Sequence, residues 1–163
     1  MKLLIALVLL NTTTIDPTIK DLRKHYALVG VNEGHVIEML NLSKNSDEPI
    51  VLAYAAGAEM ASAQFKFSPI AKLSVFNSGK TKLEPIVKAH SEKTEIRFIR
   101  YTIQLKCPAF LGYNNSLKAD RLFILNQMPV LRQTDTELYK YILSFFLLHD
   151  KLSDEEKKSI GIN

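Results

Sequence analysis

The feature that most constrains this chain is how its prolines are placed. Asp16-Pro17, Asp47 with Pro49, and Ser68-Pro69 each set a small polar or acidic residue just ahead of a proline. Proline's fixed φ and missing N–H suit the first turn of a helix, and the preceding side-chain oxygen can cap free N–H groups. These signals predict helices from Pro17 to Leu28, from Glu48 to Phe67 and from Pro69 to about Ala89. Asn32 with Glu33 starts a short helix to about Leu42, and Ser116 caps another through Met128. Asp135 caps a helix over Glu137 to His149, and Ser153-Asp-Glu-Glu opens a last one that stops at Gly161. Gly79 and Pro85 inside the fourth helix point to a kink or break there.

Residues 94 to 106 admit two descriptions. From Ile99 to Lys106 apolar and polar residues alternate, which read locally is a strand. As a helix the segment carries two opposite apolar stripes, Ile96, Ile99 and Ile103 against Phe98, Tyr101 and Leu105. No second strand candidate exists to pair with it, so a helix packed on both sides is expected. The chain then reads as eight helices joined by short links, which pair most simply as antiparallel hairpins. The expected fold is all-α: antiparallel helical hairpins stacked as a degenerate tetratricopeptide-like α-α superhelix. A 34-residue repeat is at best degenerate, because Gly79 with Leu83 and Ile86 fits the small-residue position but no second copy matches well.

With 163 residues, 47% hydrophobic and 23% charged, the chain fits one soluble globular domain over residues 16–163. The net charge of +4 does not imply a nucleic-acid partner. The lysines are dispersed among acids, and no basic stretch interleaves with stacking aromatics. Cys107 is alone, so no internal disulfide or thiolate zinc site forms, and a buried, inert thiol is expected. Residues 1–15 have the layout of a short signal peptide: Lys2, the apolar run Leu3 to Leu10, then Asn11-Thr12-Thr13-Thr14. The run is too short to span a bilayer, so export to the periplasm is expected without a transmembrane span. The alternatives are an ordinary first helix or strand of a cytoplasmic protein, and an uncleaved run that holds the protein at a membrane surface. The apolar excess at Phe145, Phe146 and Leu147 is consistent with a dimer contact or with a fully buried helix.

No catalytic motif is present, whether Walker loop, GxGxxG, GxSxG or HExxH. The four histidines, 25, 35, 90 and 149, lie on separate segments without metal-ligand spacing, so neither metal nor cofactor is expected. One constellation stands out. Arg97, Arg100 and Gln104 form a polar stripe between the two apolar stripes of the fifth helix. Glu59 is the sole charge between Pro49 and Gln64 in the most apolar helix and needs a cation, with Arg97 or Arg100 the expected partner. Asp120 would take the other arginine, and Tyr113 lies in the turn between.

The string Glu95-Ile-Arg97-Phe-Ile-Arg100, Gln104, Pro108-Ala-Phe-Leu-Gly-Tyr113 and Asp120 resembles a family of small exported bacterial proteins. The similarity is sharpest over about residues 54 to 125. It implies a helical, tetratricopeptide-like fold and export, and brings no activity with it. Two functions follow from the residues. One is a non-enzymatic module whose stacked hairpins hold a protein or peptide. The other is a small-molecule-binding protein or enzyme with a polar pocket of Glu59, Arg97, Arg100 and Asp120 for an anionic group. A purely structural ion-pair network in the same residues would imitate either.

Overall fold

A computed structural model describes residues 17–162, and every regular element among them is helical. Residues 1–15, read above as a signal peptide, and the Asp16 cap lie outside the described residues. The helices are α1 (Pro17–Ala27), α2 (Glu33–Ser43), α3 (Pro49–Ser62), α4 (Pro69–Ala89), α5 (Thr94–Lys106), α6 (Leu117–Thr134), α7 (Thr136–His149) and α8 (Asp154–Ser159). Single 3-10 turns follow α3 at Ala63–Phe65 and precede α6 at Ala109–Leu111.

The starts are built as the capping chemistry requires at three places. Ser68 accepts from the Ala71 N–H, Asp135 accepts from the Leu138 N–H, and Ser153 with Glu156 completes a reciprocal capping box. Elsewhere the expectation fails in detail. Glu48 rather than Asp47 occupies the N-cap of α3, and neither Asn32 nor Ser116 makes a side-chain cap bond. The third helix ends at Ser62, short of Phe67, because Ser62 and Gln64 turn back onto the carbonyls of Glu59 and Ala61. Such local bonds compete with continued α-helix, and the chain tightens into the 3-10 turn. By contrast α4 runs unbroken through Gly79 and Pro85, and α6 runs through Pro129 to Thr134, six residues past the expected end.

The helix predicted at 94–106 forms, and its two stripes divide the core. Ile96, Ile99 and Ile103 belong to a cluster with Leu22, Tyr26, Met39, Tyr54, Met60 and Leu83, drawn from α1 to α4. Phe98, Tyr101 and Leu105 belong to a second cluster with Ile124, Met128, Ile142 and Phe146, drawn from α6 and α7. Alternation over that stretch records burial on two sides of a helix, not a strand.

Each helix from α1 to α7 packs on the next, and α3 also packs on α1 and α5. The α5 to α7 contact is aromatic, with the Phe98 ring edge-on to Tyr141 and Phe145 at 5.6 and 5.2 Å. Glycine allows the closest approaches. A Cβ on Gly79 of α4 would fall 2.5 Å from Met60 Cγ and 2.7 Å from the Ala56 carbonyl oxygen of α3. After α5, Gly112 takes a left-handed φ of 59°, which returns Tyr113 to the core edge-on to Phe76.

Cys107 is half-buried at the end of α5 rather than enclosed, and burial pushes its thiol pKa up while Lys80 opposes that shift. The apolar excess of α7 splits. Phe146 is fully buried and Phe145 partly so, while Leu147 is exposed.

Candidate functional site

Among the described residues three arginine–carboxylate assemblies hold the helices, and the predicted stripe is one of them. At its centre Asp120, the first-turn carboxylate of α6, has no solvent exposure. Arg97 Nε donates to Asp120 Oδ1 at 2.8 Å, while Arg100 donates from Nε to Oδ2 at 2.7 Å and from Nη2 to Oδ1 at 2.9 Å. Arg100 Nη1 donates to Glu84 of α4 at 3.0 Å, and the Tyr113 hydroxyl closes onto the other oxygen of Glu84. Burial works against the Arg100 charge, but hydrogen bonding and charge from Asp120, then from Glu84, hold its pKa above the ordinary arginine value. Burial, then the bond to Glu84, raises the Tyr113 phenol, so it stays a neutral donor.

Arg97 is held differently. Its Nη2 donates to the Ala119 carbonyl at 3.2 Å, and its guanidinium lies over the Phe123 ring, 4.0 Å from the centroid. Its Nη1 makes no hydrogen bond among the described residues. Beside it an open depression of roughly 800 Å³ is lined by Glu84, Pro85, Val87, Lys88, Ser91, Arg97 and Arg100, from α4, the α4–α5 turn and α5. Lys88 and Ser91 on its wall are exposed.

The predicted residues therefore come together in part. Arg97, Arg100, Asp120 and Tyr113 converge, and Glu84, which the sequence reasoning passed over, joins them. Glu59 does not. Its partners are Lys82 Nζ at 2.6 Å and the Ser78 hydroxyl at 2.7 Å, both on α4, so the expected pairing with Arg97 or Arg100 is corrected. The reason is register: Glu59 lies on the α4 side of α3, and Lys82 reaches it while most of its own side chain stays in solvent. Gln104 is buried at 4% exposure, and its Oε1 lacks a hydrogen-bond partner.

The second assembly was missed altogether. Arg23 of α1 is 8% exposed and binds both oxygens of Glu95, in the first turn of α5, at 2.7 Å each. The Tyr54 hydroxyl of α3 donates to the same carboxylate at 2.5 Å, and Asp135, the N-cap of α7, stands 3.7 Å from Arg23 Nη2. Nearby, the Tyr26 and Thr102 hydroxyls are 2.8 Å apart, and Lys20 pairs with Glu137 at 3.0 Å. Thus α1 lies against α3 and α5 and reaches α7. A separation of 72 residues between Arg23 and Glu95 carries no local signal in the sequence.

In the third assembly Arg121 of α6 donates to Asp150 and to both oxygens of Glu156, at 2.7, 2.5 and 3.1 Å. Tyr101 donates to the same Asp150 oxygen at 2.5 Å. The Arg121 hydrogen bond, then the capping bond to Ser153, draws the Glu156 carboxyl down to about 2.

The histidines are not all apart. His25 and His35 meet across the α1–α2 hairpin with their Nδ1 atoms 3.0 Å apart. No cluster of three or more potential metal ligands occurs among the described residues. No described helix is long and apolar enough to cross a membrane. Comparison of the chain with protein-family models, with curated proteins and with solved structures returns no match.

Proposed function

We propose that the chain is a non-enzymatic binding module of tetratricopeptide-like helical hairpins, which holds a protein or peptide partner through an anionic group seated at Arg97 and Lys88. Support for the hairpin array comes from the row of odd-numbered helices, α1 on α3, α3 on α5 and α5 on α7. The face between those helices is filled by Arg23, Tyr26, Tyr54 and Glu95, so the depression beside α4 and α5 is the better ligand surface. The observation that carries the proposal is Arg97: its position is fixed by Asp120 and Phe123, yet its Nη1 is uncommitted beside an open depression. A guanidinium preorganised in this way loses little freedom when it meets a carboxylate. The fit is to a free carboxylate, such as a peptide C-terminus, with Lys88 adding charge at the rim. Export, inferred from Lys2 and the Leu3 to Leu10 run, makes exported or periplasmic polypeptides the natural partners.

A C-terminal peptide library in free-acid and amidated forms tests this on the intact chain. Enrichment of free acids over amides, lost in Lys88→Glu, is expected. Equal recovery of both forms, or enrichment that Lys88→Glu leaves unchanged, would refute it.

A further inference from the structure

We infer that His25 and His35 form a two-imidazole site for a divalent transition metal of tetragonal preference, Cu2+ above all. His25 sits in the last turn of α1 and His35 in the first turns of α2. The hairpin turns them so that each offers Nδ1 to the other at 3.0 Å, with ring centroids 5.3 Å apart and planes tilted by 53°. Metal–imidazole bonds are about 2.0–2.1 Å long. Two such bonds drawn from nitrogens 3.0 Å apart enclose an angle of roughly 90–97° at the metal. That is a cis pair in square-planar or octahedral coordination, whereas a tetrahedral ion would need the nitrogens about 3.3 Å apart. The divalent series peaks at copper, which also favours this tetragonal geometry.

Both rings are half-buried, so a cation can reach the pair while the helices hold the rings in place. The carbonyl end of α1, where His25 lies, favours positive charge. Without metal one Nδ1 carries the proton that links the rings. With metal that proton moves to the Nε2 of the same ring, and both Nδ1 lone pairs face the ion. Water would complete the shell, since no third histidine, cysteine or carboxylate joins the pair among the described residues.

The test is titration of the untagged, EDTA-treated full chain with Cu2+ in a glycine-competed buffer. One equivalent bound is expected, lost in His25→Gln and in His35→Gln and kept in His90→Gln and His149→Gln. Melting in EDTA establishes that each variant is folded. Should either pair variant fail to fold, the electron paramagnetic resonance spectrum of the Cu2+-loaded unaltered chain decides. Two imidazole nitrogens on the copper are expected; one or none overturns the site, as does uptake that survives both substitutions.

Discussion

At the residue scale, Asp120 ties two arginines of α5 to the first turn of α6. It is wholly buried and accepts from two arginines, so its loss leaves Arg100 with Glu84 alone and Arg97 with no carboxylate partner. Removing one partner of a buried pair costs about 3–5 kcal/mol. Asp120→Asn should therefore lower Tm by roughly 10 °C at the usual 2–4 °C per kcal/mol for a chain of this size, as read by calorimetry. Glu156 gives a prediction in pH. Its carboxyl is held at about 2 in the folded chain against 4.5 ordinarily, so it binds its proton more weakly when folded. The stability it contributes is complete above about pH 4.5 and disappears as pH falls towards 2. Melts at pH 7, 4 and 2.5 should show Glu156→Gln less stable than the unaltered chain at pH 7, with the gap closing at pH 2.5. A gap that stays constant would mean that Arg121 gains nothing from the charge.

Gly79 is the informative residue at the scale of elements. It lets α4 lie so close to α3 that an added methyl meets the Ala56 carbonyl and the Met60 backbone, not just a side-chain end. Gly79→Ala should therefore cost about 1–3 kcal/mol by overpacking, although alanine is the better helix former by about 1 kcal/mol. A neutral or stabilising result in a urea melt would show that the two helices are further apart. Elements were also where the sequence was most legible. The two stripes of α5 could be read in advance because they depend only on helical period, and the caps at Ser68, Asp135 and Ser153 only on neighbouring residues. Ends were less legible: the helix capped at Ser116 was expected to end at Met128, yet α6 continues through Pro129 to Thr134. Proline removes one hydrogen bond from a helix, and packing of Ile124, Leu125 and Met128 in the second core offsets that loss.

For the whole molecule, legibility falls with sequence separation. The convergence of Arg97, Arg100 and Asp120 was foreseeable because α5 and α6 are consecutive helices, linked by residues 107–116. The partner of Glu59 was not, because it depends on the rotation of α3 against α4. Arg23 with Glu95 depends on how the first helix folds back over the third and fifth. His25 and His35 did leave a signal, since they stand symmetrically about Gly30, the centre of a hairpin turn. The folding back of α1 buries Arg23 and Tyr26 against Tyr54 of α3 and Glu95 of α5.

The division of labour between the two arginines is the claim on which the rest depends, and paired melts of Arg100→Gln and Arg97→Gln test it directly. Arg100 makes three hydrogen bonds to carboxylates and Arg97 makes one, each bond to a charged group contributing about 1.5–3 kcal/mol. Arg100→Gln should lower Tm at least twice as far as Arg97→Gln, while Arg97→Gln alone abolishes capture of free-acid peptides by an otherwise stable fold. Equal losses of Tm, with free-acid capture intact in Arg97→Gln, would make both arginines struts and the depression an empty surface.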